Sequence, residues 1–128
     1  MNRYTGLVGA SVVALVLAAA AVAGPKGLSH EEAEELIKGN TAEGTNKWKK
    51  KMIWYFGEFG EVRKRDHLGN KGKARWNIDK KGNLCFQDKH MKNEECGAIV
   101  PRADGGYDVF LEGQWKWNKV VPGNPHSL

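Results

Sequence analysis

The chain has only two cysteines, four prolines and four histidines in 128 residues, and it lacks the usual signatures of catalysis. There is no Gly-x-Ser-x-Gly nucleophile elbow, no phosphate-cradling glycine loop, no His-x-x-x-His pair and no Cys-x-x-Cys-His haem attachment. The histidines His30, His67, His90 and His126 are scattered along the chain. His90-Met91 beside Asp88 reads as a solvated polar loop, because two adjacent residues seldom converge on one metal ion. The pairs Glu31-Glu32, Glu34-Glu35 and Glu94-Glu95 read as solvated faces rather than acid–base couples. These absences lead to an expectation of a non-enzymatic protein with no metal and no cofactor. Charge is also scarce at the start, where Arg3 is the only charged residue before Lys26.

That first stretch carries a targeting signal. Leu7 to Ala20 is apolar, and Ala21-Val22-Ala23 has the small-x-small form of a signal-peptidase site. Residues 1–23 therefore read as a signal peptide and residues 24–128 as one domain. The alternative is a retained anchor, since Tyr4 to Ala23 is long enough to cross a bilayer. With no cysteine at the junction, a lipid-anchored form is not expected. Export implies an oxidising compartment, where Cys85 and Cys96 are expected to pair as a disulfide. Neither cysteine starts a helix that would stabilise a thiolate, so the bond reads as structural rather than redox-active.

After Gly24-Pro25 one short helix is predicted. Ser29 and Glu32 form a capping box, Leu36 and Ile37 supply an apolar stripe, and Gly39-Asn40 ends it. From Thr41 onward the period becomes two. Strands are predicted near Thr41–Thr45, Trp48–Phe56, Glu61–Asp66, Lys73–Ile78, Asn83–Gln87, Cys96–Val100, Tyr107–Glu112 and Gln114–Val121, separated by Gly-, Asn- and Asp-rich turns. About eight short strands at regular spacing imply an all-β antiparallel meander that closes or curls into a small barrel. The tail from Pro122 has no periodicity and is expected to lie extended on the surface.

Five tryptophans, Trp48, Trp54, Trp76, Trp115 and Trp117, fall in register with apolar neighbours. They are expected to point inward, either as core or as the lining of a cavity for an apolar ligand. The charges are segregated. Residues 47–81 hold twelve basic side chains against four acidic ones, whereas the segments on either side are net acidic. If Trp54, Val62 and Trp76 face in, then Lys49, Lys51, Arg63, Arg65, Lys73 and Arg75 share one outer face. Like charges side by side in a sheet are destabilising unless bound or screened. This predicts a contact with an anionic partner protein or envelope surface. The competing account is a lysine-rich face that only discourages edge pairing. Export argues against nucleic acid as the partner, and membrane contact is expected only if residues 1–23 are retained.

Gly39-Asn40-Thr41, Gly82-x-Leu84-Cys85, Cys96 and Pro122-Gly123-Asn124-Pro125 occur in an order that resembles a group of small exported bacterial proteins of unknown function. The resemblance implies a lipocalin-like or half-barrel β-fold and a periplasmic location, and it brings no catalytic residues. The run Lys47 to Lys51, broken by Trp48, is not a feature of that group.

Overall fold

The computed structural model describes residues 26–128, and the expectations for residues 1–23 lie outside them. Helix α1 (His30–Ile37) is followed by β1 (Asn40–Thr45), β2 (Lys51–Phe56), β3 (Glu61–Asp66), β4 (Lys71–Ile78), β5 (Leu84–Asp88), β6 (Glu95–Gly97), β7 (Ile99–Pro101), β8 (Tyr107–Val109) and β9 (Trp115–Pro122). All pairings are antiparallel, in the order β6-β5-β4-β3-β2-β1-β9-β8-β7. The two end strands, β6 and β7, are halves of one extended segment interrupted at Ala98. The first half pairs with β5 and the second with β8, and the Phe110 N–H donates to the Ala98 carbonyl at 3.0 Å. The sheet thus becomes a nearly closed all-β barrel, as the period-two pattern predicts.

Five of the hairpin turns share one construction. In each, the first residue's N–H donates to the carbonyl of the fifth, the fourth residue's N–H donates to the carbonyl of the first, and the fourth has positive φ. Gly60, Gly69, Gly82 and Gly105 hold that fourth position at φ between 86° and 91°, which glycine adopts without steric penalty. In the β1–β2 turn the same position is Lys49, at φ 61°. Asn46, Asp66 and Asp79 open three of the turns, and each side-chain oxygen accepts N–H bonds from the turn it opens.

Strand alternation sends Trp54, Phe56, Val62, Trp76, Leu84, Phe86, Val109, Trp115 and Trp117 into one core. Trp54 stacks on Trp115 with centroids 4.8 Å apart, and Phe86 meets Trp115 edge-on at 5.2 Å. Helix α1 covers one end of the barrel and buries Ala33 and Ile37. Its capping box is present. The Leu28 N–H donates to Ile99, and His30 Nδ1 lies 2.9 Å from the Asp79 carbonyl oxygen. The opposite end, between the β1–β2, β3–β4, β5–β6 and β8–β9 loops, has no helix over it among the described residues.

Two expectations need correction. Trp48 is not an interior aromatic, because it is 67% exposed. Lys49 is not on the sheet face, because β2 starts at Lys51 and residues 46–50 form the turn. The cause is Asn46, whose carboxamide oxygen accepts from the Trp48 and Lys50 N–H groups and takes this backbone out of the ladder.

Candidate functional site

The outer face of β2, β3 and β4 gathers the predicted basic residues. Arg63 lies directly opposite Lys73, and Arg65 opposite Lys71. Directly opposed side chains in an antiparallel pair sit about 5 Å apart at Cβ, so these are like-charge contacts. Lys51 sits at the start of β2 on the same face, and Arg75 is opposite Glu61. Lys51, Arg63, Lys73 and Arg75 are exposed, and Arg65 is partly covered. Among the described residues, none of these cations forms an ion pair with a carboxylate side chain.

Lys71 is a member of this face that the sequence reading passed over. Strand β4 begins two residues earlier than the pattern suggests, and the outward alternation Lys71, Lys73, Arg75, Asn77 was the available signal. The tail adds a further contact. Thr41 Oγ1 donates to the Gly123 carbonyl, His126 Nε2 lies 3.0 Å from Glu43 Oε2, and Arg63 Nη1 donates to the Leu128 carbonyl oxygen at 3.3 Å. The tail therefore crosses the outside of β1 and reaches the basic face. A groove of about 300 Å³ remains between Leu128 and Arg63, Lys71 and Lys73.

A second polar cluster lies inside the open end. Lys64 points inward from β3 and bonds Asp88 at 2.8 Å, with its ammonium 5.6 Å from the Phe86 ring. Burial opposes ionisation of Asp88, but the Lys64 bond and the His90 N–H outweigh it and hold the carboxyl below its ordinary value. Burial pushes the Glu112 carboxyl up. Both groups border a groove of about 420 Å³ whose floor is Trp54, Trp115 and Phe86, all almost fully buried.

Cys85 and Cys96 face each other across β5 and β6 and are bonded, as predicted. Asp79 comes close to both sulfurs, but sulfurs bonded to each other offer no thiolate to a metal. Trp54, Trp76, Trp115 and Trp117 are all interior. The Trp76 indole N–H donates to the Gly57 carbonyl at 2.9 Å, while the buried Trp117 N–H has no partner among the described residues.

No family model, curated protein or solved structure matches the chain.

Proposed function

We propose that the protein is a non-catalytic binding module of an exported compartment, contacting an anionic surface or partner protein through the outer face of β2–β4. The observation that carries this reading is the facing of Arg63 with Lys73 and of Arg65 with Lys71, with no carboxylate side chain among the described residues paired to any of the four. Protection of a sheet edge does not account for it. Strands β2, β3 and β4 each have neighbours on both sides, so they have no edge to protect. An anionic partner would relieve repulsion that the fold otherwise carries. The disulfide supports the oxidising compartment. The apolar-carrier alternative has less support, since Trp54 and Trp115 stack on each other within the core and the groove above them is bordered by the charged Lys64, Asp88 and Glu112.

The double variant Lys71→Glu with Lys73→Glu tests the reading. It places each new carboxylate opposite an arginine, so stability should stay level or rise by up to about 1 kcal/mol. Retention on a sulfonated matrix, and capture of the natural partner, should nonetheless weaken. Wild-type binding should also fall steeply between about 50 and 200 mM salt, because exposed charges are screened over roughly 10 Å. Lys116→Glu with Lys119→Glu, on the outside of β9, is the control. Equal retention of the two double variants would reduce the face to an ordinary solvated surface.

A further inference from the structure

The two ends of the barrel, helix α1 included, differ in charge. At the open end, residues 46–50, 67–70, 89–94 and 110–114 carry five lysines against two acids. At the helix end, residues 26–39, 57–60, 79–83 and 102–106 carry five bases against seven acids. Exposed apolar side chains occur at both ends, but their surroundings differ. Phe59, at the helix end, is 89% exposed and lies between Glu58 and Glu61. Trp48 and Leu68, 67% and 73% exposed, are the third residues of neighbouring turns at the open end. Trp48 is flanked by Lys47, Lys49 and Lys50, with the Lys47 ammonium 4.6 Å from its ring centroid.

The β1–β2 turn is also costly in a way its sister turns are not. Four of the five matching turns place glycine where this one places Lys49 in the left-handed region. A side chain there is strained, and such strain persists where the surroundings or a function retain it. The Asn46 bonds fix the turn, so Trp48 is presented on a preformed support rather than on a loose loop.

The geometry points to the open end as a docking tip for a bilayer surface with anionic headgroups. Trp48 and Leu68 enter the interfacial layer, and Lys47, Lys49 and Lys50 meet the headgroup charge. Tryptophan favours that layer because its ring is apolar and its N–H can stay hydrated. Each lysine near an anionic leaflet adds to the attraction. The sequence reading confined membrane contact to a retained N-terminal segment, and the tip supplies a route that does not need one. It is a surface separate from the side wall of β2–β4 and stands if that wall proves inert.

The test is partition between buffer and vesicles of phosphatidylcholine with or without phosphatidylglycerol. All variants are made in the same chain, as processed by the producing cell. The wild type should bind the anionic vesicles and bind the neutral ones far less. Trp48→Ala should weaken anionic-vesicle binding about tenfold, a change of the size expected for losing one buried aromatic anchor. Lys49→Gly should weaken it about fivefold, as for one lysine removed, while unfolding at a higher urea concentration than wild type. That opposition of binding and stability is not expected of a purely structural turn. Lys80→Glu with Lys81→Glu, in the matching turn at the helix end, should leave partition unchanged. Equal binding to both vesicle types, no loss in Trp48→Ala, or equal loss in the Lys80/Lys81 variant would each overturn the proposal. Retention on a sulfonated matrix without vesicle binding would overturn it in favour of a protein contact.

Discussion

Lys64 and Asp88 are the clearest case of one side chain setting the behaviour of another. Both are largely covered, at 22% and 12% side-chain exposure, and their bond lies against the Phe86 ring. Burial alone would push the Asp88 carboxyl up, and the lysine reverses the sign. A carboxyl held below its unfolded value of about 3.9 contributes stability that is fully present above that pH. The contribution disappears as pH falls through the lower, folded value. Lys64→Met should therefore cost about 1–3 kcal/mol at neutral pH, because it leaves a largely buried carboxylate without its cation. The same variant should lose less of its remaining stability on acidification to about pH 3 than wild type does. Urea unfolding at the two pH values measures both effects. Equal acid sensitivity in the two proteins would show that the pair does not govern it. The inward position of Lys64 follows from alternation with Val62, but its partner does not, since Asp88 lies two strands away on β5. The basic residues Arg63, Arg65, Lys73 and Arg75 were legible from the same alternation, because they fall in the outward phase set by the buried Val62, Ala74 and Trp76.

At the level of the turn, conserved geometry within one chain separates two roles of glycine. Gly69 and Gly82 have nearly the same φ, 86° and 90°. A β-carbon at position 69 would meet nothing, whereas one at position 82 would collide with the Leu28 carbonyl at the entry to α1. Gly69→Ala should then cost about 1 kcal/mol, the strain of the left-handed region alone. Gly82→Ala should cost more and should lower protection of the helix amides, because Leu28 and Ser29 must move. Thermal unfolding with amide exchange separates the two, and equal costs would mean that the helix cap is not tied to this turn. Turn residues were readable wherever Gly, Asn and Asp cluster. The β1–β2 turn escaped because its fourth position is a lysine, and Trp48-Lys49-Lys50-Lys51-Met52 imitates the alternation of a strand. One acceptor, the Asn46 carboxamide oxygen, decides against that pattern.

For the whole molecule, the sequence implied one short helix followed by an antiparallel meander, since each hairpin is local. The means of closure was not readable. It depends on one segment, residues 95–101, changing partner at Ala98 from β5 to β8. Each half contributes only three residues, as does β8, so the wall is thin along this side. Only the Cys85–Cys96 bond crosses the β5–β6 half covalently.

That placement gives the disulfide a meaning beyond the roughly 3 kcal/mol expected for closing a short loop. It is a seam lock. With it reduced, β6 can peel away and leave the N–H and C=O groups of β5 unpaired, an open template for another chain. A second copy in the same state offers a matching strand, so the reduced protein should exchange this segment or associate edge to edge. Light scattering and size exclusion of the oxidised and reduced forms, at equal concentration and below the unfolding transition, measure this. A reduced protein that stays monomeric would mean that the ladder holds the seam unaided. If it associates, the redox state of the compartment controls more than the protein's stability: it also determines whether the chain remains solitary or polymerises.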